Sequence, residues 1–249
     1  MSDIVLLVFE GAKTEPQILD NLKQHYFTEN KKTVIRATFD THIYTLWDIV
    51  KDDDFLDLLE VIRERNDKNK KELEGISRDN VSQIFLFFDY DGHVREASDD
   101  TIKKMLAHFN DETEQGKLYV SYPMVEALKH LQTGVDFKDT VVSAKSKIKC
   151  EITQQNYKQL VNRSTSYQDL TVFTRDIWNF IVVENVKKAN FIVNGVWEIT
   201  PYQAIISELG QSEIFKHQLR KYIEPKEQVA VLSAFPFFII EYFGEKEYL

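Results

Sequence analysis

The apolar and polar positions follow two alternating periods through the first half of the chain. Ile4–Phe9 is a continuous apolar run, which predicts a strand covered on both faces, as in a parallel sheet. Glu10-Gly11 breaks it. Thr14 then reads as a helix N-cap, with Pro16 in the first turn and Gln17 at the capping-box position; Ile18, Leu19, Leu22 and Tyr26 follow at helical spacing. Thr33–Phe39 alternates and is β-branched, the mark of a second strand. Tyr44–Val50 and Phe55–Arg65 return to the helical period, and Asn66–Glu74 reads as a charged, exposed helix end or loop. Val81–Phe88 is another buried-type strand, closed by Asp89-Tyr90-Asp91-Gly92. Asp99-Asp100 can cap a helix over Thr101–Phe109, Lys117–Ser121 reads as a short strand, and Pro123–Leu131 as a helix begun at proline.

Strands alternating with helices predict a three-layer α/β core around a mostly parallel sheet. From about residue 140 the pattern changes. Tyr157–Val161, Asp176–Val193, Pro201–Leu209 and Phe235–Phe243 all carry helical spacing. The expected organisation is a core domain over residues 1–140, followed by a mainly helical region over 141–249.

Composition narrows the class. With 8 Gly and 5 Pro in 249 residues, long linkers are not expected. The single cysteine, Cys150, excludes an intramolecular disulfide framework and fits a reducing compartment. The N-terminus has no basic segment ahead of its apolar run, so it reads as a strand and not as a signal peptide. The longest apolar stretch, Ala234–Ile240, is far short of the roughly 20 residues of a membrane span. A cytoplasmic location and no membrane partner are the expectations. The net charge of −9 counts against a broad basic groove for nucleic acid. It does not count against a site where carboxylates bind a divalent cation and the cation meets phosphate.

Three carboxylates stand where open α/β sheets gather functional groups, past the carboxyl ends of strands. They are Glu10 after the first strand, and Asp89 and Asp91 after Val81–Phe88. Asp89 and Asp91 are two apart, and the Gly92 turn lets the backbone curl so that both reach one ion. Mg²⁺ takes oxygen ligands, usually one or two carboxylates completed by water and phosphate. Carboxylates this close repel one another, and a cation compensates them. The plain alternative for each is a solvated turn or cap acid.

On these residues the chain resembles a known family. Phe9-Glu10-Gly11-Ala12-Lys13-Thr14-Glu15 resembles the glutamate motif that opens the Toprim domain, in the form found in OLD-type and RloB-type nucleases. Phe87-Phe88-Asp89-Tyr90-Asp91-Gly92 is similar to the Asp-x-Asp motif of that domain, and Ser121-Tyr122-Pro123-Met124-Val125-Glu126 to the Ser-x-Pro-x-x-Glu segment of RloB-type proteins. The resemblance covers about residues 3–135. It implies a Mg²⁺- or Mn²⁺-dependent nuclease that cleaves phosphodiesters of DNA or RNA. Glu10 would be the catalytic residue, as metal ligand or general base. Asp89 and Asp91 would hold metal, Glu15 would be a second metal-site carboxylate, and Glu126 a supporting one. It further implies an effector of anti-phage defence working with an ABC-type ATPase. This chain carries no P-loop of its own, since Gly11-Ala12-Lys13-Thr14 lacks the upstream glycine.

The candidate nucleic-acid contacts are cationic. Lys13 lies in the first loop, where an ammonium can meet a phosphate, and Lys145, Lys147 and Lys149 alternate, so that on a strand they would share one face. Each also reads as an ordinary solvated lysine. His93 is a possible ligand or proton carrier beside the acidic turn, and the aromatic cluster Phe235, Phe237, Phe238, Tyr242 and Phe243 reads as core or partner interface. Two other functions stay open. Phe88-Asp89-Tyr90-Asp91-Gly92-His93 also resembles the nucleophile loop of haloacid-dehalogenase phosphatases, though that family sets this strand near the chain start and leaves Glu10-Gly11 unexplained. A non-catalytic Toprim-like subunit that binds a partner is the other. Homo-oligomerisation is left open.

Overall fold

The computed structural model describes residues 4–27, 33–53, 56–131, 136–146, 148–150, 155–164 and 167–247. They form two compact units, residues 1–89 with 100–119, and residues 90–99 with 120–249. The boundary expected near residue 140 lies inside the second unit.

The first unit is built on a sheet of β1 (Ile4–Phe9), β2 (Thr33–Thr38), β3 (Val81–Asp89), β4 (Asn110–Asp111) and β5 (Gly116–Ser121), in the order β2-β1-β3-β5-β4. β1 runs parallel to both neighbours, and short β4, antiparallel to β5, closes one edge. This is the α/β, mostly parallel architecture expected, with helices against the sheet. The continuous apolar runs explain it: Val5–Phe9 and Ile84–Phe88 are all buried, as strands covered on both faces must be. α1 (Thr14–His25) lays Ile18, Leu19 and Leu22 into the core, and α2 (Ile43–Val50) does the same with Ile43, Leu46 and Val50. α3 (Leu58–Glu64) starts at Asp57, whose carboxylate accepts the Leu59 N–H at 2.9 Å. Phe55, expected to begin that helix, lies outside the described residues.

Two local expectations change. Thr14 is the first helical residue and not the cap; Lys13 holds the cap position and makes no side-chain cap bond. Glu15 reaches back out of the helix to the Gly11 N–H at 2.9 Å and so ties the preceding loop to the first turn. The charged stretch after Asn66 forms α4 (Asp67–Glu72) and contains a buried anchor. Asn69 accepts the Thr38 N–H at 3.1 Å and donates to Thr38 O and Ile62 O, each at 2.8 Å. Its amide supplies what a neighbouring strand would supply to the outer edge of β2.

The second unit is mainly helical. It holds α6 (Tyr157–Ser164), α7 (Arg175–Asn194), α8 (Tyr202–Glu208), α9 (Gln211–Gln218), which runs through a π turn (Leu219–Ile223) into α10 (Glu224–Lys226), and α11 (Phe235–Phe243). α7 begins at Thr174, whose hydroxyl accepts the Ile177 N–H, and ends at Gly195 with φ +80°. Two short antiparallel pairs were not expected: β6 (Val141–Ser143) with β9 (Gln228–Ala230), and β7 (Ile148–Cys150) with β8 (Gln155–Asn156). The helix expected over Pro123–Leu131 shrinks to one 3₁₀ segment, Val125–Lys129. The chain before it stays extended because Tyr122 exchanges backbone bonds of 2.8 and 3.0 Å with Leu232. Phe235, Phe237 and Phe238 are core. Among the described residues no helix is long and apolar enough to cross a membrane.

Candidate functional site

β1 is the first strand laid down, yet it ends between β2 and β3, with the chain going to one side and then the other. The crevice past the carboxyl ends of β1 and β3 is therefore the switch point where α/β sheets bind ligands. Parallel pairing sets Phe9 against Phe87, so the residues after each emerge side by side. Glu10 donates its N–H to Phe87 O at 3.1 Å, and its Oε2 accepts the Asp89 N–H at 3.0 Å. Two acids 79 positions apart thus meet through one backbone group. Asp89 is only 7% exposed, whereas Glu10 is half-buried. Below them Phe9, Phe87 and Tyr119 stack, with ring centroids 5.3 and 5.4 Å apart, which gives the strand ends a rigid apolar floor.

Glu15 belongs to the same neighbourhood through the β1–α1 loop. It is buried, and a Cβ at Gly11 would lie 3.0 Å from both of its carboxylate oxygens. A methyl there would require the Glu15 oxygens to give by a few tenths of an ångström. Glu15 also sits in the first turn of α1, where a negative charge complements the helix dipole. Lys13 is exposed at the N-cap position.

A third strand-end acid escaped the sequence reading. Asp40 follows β2 with φ +59°, donates its N–H to Glu10 O at 3.0 Å, and accepts Asn66 Nδ2 at 2.9 Å. The available signal was the repeat of aromatic then acid at three strand ends: Phe9-Glu10, Phe39-Asp40 and Phe88-Asp89.

The remaining candidates belong to the second unit. Asp91 adopts φ +45°, with His93 Nδ1 3.7 Å from its Oδ1. Glu126 is 2% exposed; Lys158 Nζ lies 3.0 Å from its Oε1, and its Oε2 has no hydrogen-bond partner among the described residues. Lys145 pairs with Asp99 Oδ2 at 3.1 Å and with the Tyr90 hydroxyl at 3.2 Å, in the turn before β7 and not on a strand. Lys147 lies outside the described residues, and Lys149 falls within β7. In sequence Asp99 read as a helix cap, whereas the helix starts at Asp99 itself, and Tyr90 only as the spacer of the Asp-x-Asp motif.

The donor set suits a hard cation. Glu10 and Asp89 offer carboxylate oxygens, and Mg²⁺ commonly takes one or two such ligands while keeping water and phosphate for the rest. Among the described residues no three His, Cys, Asp or Glu side chains converge as a metal-binding group, so an all-protein cage of the zinc or calcium kind is not formed there. No protein-family model, no curated protein and no solved structure matches this chain.

Proposed function

We propose that this chain is a Mg²⁺- or Mn²⁺-dependent nuclease whose reacting centre is built on Glu10 and Asp89. The observation that carries the reading is the Glu10 carboxylate bound by the Asp89 N–H at the switch point of the sheet. Glu10 and Asp89 would hold the cation, with Asp91 as the further ligand that the motif implies. A divalent cation held there would supply neutralisation of phosphate charge and a more acidic bound water. Glu10, its Oε2 held by the Asp89 N–H, would act as a ligand or as the base that takes the proton of the attacking water. The buried Asp89 supplies negative charge that makes occupation by a cation favourable. Glu15 steadies the loop that carries Glu10 through its bond to Gly11. Action in anti-phage defence beside an ATPase partner is part of the same proposal and rests on the motif resemblance alone.

A second reading is a non-catalytic Toprim-like subunit, in which Glu10 and Asp89 would bind no cation. One experiment separates the two. The purified chain is incubated with tRNA, plasmid, single-stranded DNA and p-nitrophenyl phosphate, in EDTA, Mg²⁺ or Mn²⁺. Cleavage of a polynucleotide that needs metal and is lost in Glu10→Ala, with an unchanged circular-dichroism spectrum, is the expected result. Metal-independent cleavage, or an active Glu10→Ala, overturns the nuclease reading. Hydrolysis of the monoester alone would favour the phosphatase.

A further inference from the structure

Between Asp89 and the helix that starts at Asp99, α5 (Asp99–His108), the chain forms a loop whose two ends are tied by side chains. Tyr90 is fully buried, its ring 5.7 Å from that of Tyr122 and 6.3 Å from that of Phe215. Its hydroxyl donates to Asp99 Oδ1 at 2.6 Å. Lys145 Nζ completes a ring of three groups, 3.2 Å from that hydroxyl and 3.1 Å from Asp99 Oδ2, and lies 5.7 Å from the Tyr90 ring centroid. The phenol gives its one proton to the carboxylate and accepts from the ammonium, so donors and acceptors match.

What the ring encloses is tightly specified. Asp91, one residue on, has φ +45°, a region that L residues avoid and that persists only when the surroundings over-determine it. Its carbonyl accepts the Val94 N–H at 3.0 Å, and Val94 O accepts the Ala97 N–H at 3.1 Å. At Gly92 a Cβ would come within 2.4 Å of the Tyr90 ring and 2.8 Å of Ala144 O. The backbone turn of Asp91-Gly92 is thus packed directly on the tyrosine that the latch holds.

We propose that Tyr90, Asp99 and Lys145 form a latch that fixes the Asp91 loop in one conformation, with Lys145 a positioning residue for Asp91 and not a phosphate contact. The inference rests on the reading of Asp91 as a metal-site carboxylate. Its structural half can be tested without that reading. Lys145 is a third exposed and Asp99 about a quarter, so an ordinary ion pair here would be weak. The buried phenol between them makes the cluster cooperative, and it is the only member whose removal leaves both charges in place.

The experiment measures hydrogen exchange by mass spectrometry over residues 91–98 in the full chain, together with cleavage rate against Mn²⁺ concentration. Wild type is compared with Tyr90→Phe, Lys145→Met and Lys145→Arg, and Asp99→Asn serves if one of these misfolds. Exchange in this segment is expected to rise about tenfold in Tyr90→Phe and Lys145→Met and less in Lys145→Arg, with other segments unchanged. Cleavage should fall in the same order through kcat, with a higher Mn²⁺ concentration at half-maximal rate, and Lys145→Arg should recover most of it. Unchanged exchange in both Tyr90→Phe and Lys145→Met overturns the latch. So does a Lys145→Met effect confined to KM, which marks a substrate contact. If wild type shows no metal-dependent cleavage, the nuclease reading falls, and the exchange result still decides whether the latch exists.

Discussion

Each unit buries charge, and the two satisfy it from opposite ends of the peptide group. In the first, Glu10 and Glu15 accept backbone N–H groups, from Asp89 and Gly11. In the second, fully buried Lys188 gives its protons to three backbone carbonyls, of Phe137 at 2.9 Å, Lys138 at 2.6 Å and Thr140 at 3.0 Å. An ammonium has three donors and no acceptor, so three carbonyls use it completely. A carboxylate has about four acceptor positions, and one backbone N–H sets its direction without using it up. Lys188 is for that reason a structural pin of the 3₁₀ turn Phe137–Asp139. Glu10 is an aimed group at the carboxyl end of the sheet. Burial pushes Lys188 down to about 7, and Asp139 and Asp136 pull in the other direction. Below that value the ammonium form matches its cage.

The largest effect is expected at Lys188. Lys188→Met leaves carbonyls without their donor in a buried site, and the chain should lose about 3 kcal/mol of unfolding free energy by urea denaturation. A loss below about 1 kcal/mol would mean that the cage is not structural.

His130 gives the next largest effect and sharpens the same contrast. Burial first, and the charge of Lys188 second, lower its pKa from 6.5 to about 4. Between these values the unfolded chain binds a proton that the folded chain does not. Stability is therefore full above pH 6.5 and falls as the pH drops toward 4, by about 2 kcal/mol after allowance for partial exposure. His130→Asn should flatten that part of a plot of stability against pH. An unchanged slope would locate the acid sensitivity in other groups.

Glu10→Ala should have the opposite profile to Lys188→Met. It is expected to shift unfolding by less than about 1 kcal/mol, because it removes one hydrogen bond and some charge repulsion from a half-exposed site. A large destabilisation would make Glu10 a pin like Lys188. The smallest effect belongs to Gly11→Ala. The new methyl meets only the far end of the Glu15 side chain, which can turn aside, so about 0.5 kcal/mol of destabilisation is expected from thermal unfolding.

Much of the first unit was legible along the chain, because strands covered on both faces must be apolar throughout. Ile4–Phe9 and Ile84–Phe88 carry that mark and end in the acids that pairing then brings together. The helix Phe235–Phe243 was readable for the same reason, since its residues are buried around most of its circumference. Less was readable where one polar side chain takes over a backbone task. Asn69 looks like part of a solvated charged segment and instead bonds the edge of β2; Glu15 looks like an ordinary first-turn acid and instead holds the Gly11 N–H. Nothing in the local pattern distinguishes these positions, because each partner is supplied by chain remote from the period being read or by a loop with no period.

By itself the sequence determined which segments bury a face, and therefore the α/β class and the strand ends at which Glu10 and Asp89 emerge. That follows from periodicity, which is a local property of the backbone. Tertiary structure alone decided that the Asp89 N–H meets Glu10, that Lys145 serves Tyr90 and Asp99, and that Lys188 lies inside a ring of carbonyls. Those are matters of hydrogen-bond stoichiometry between residues far apart in the chain. A lysine in a helix reads the same in sequence whether it meets water or three carbonyls, and only packing that excludes the water makes the difference.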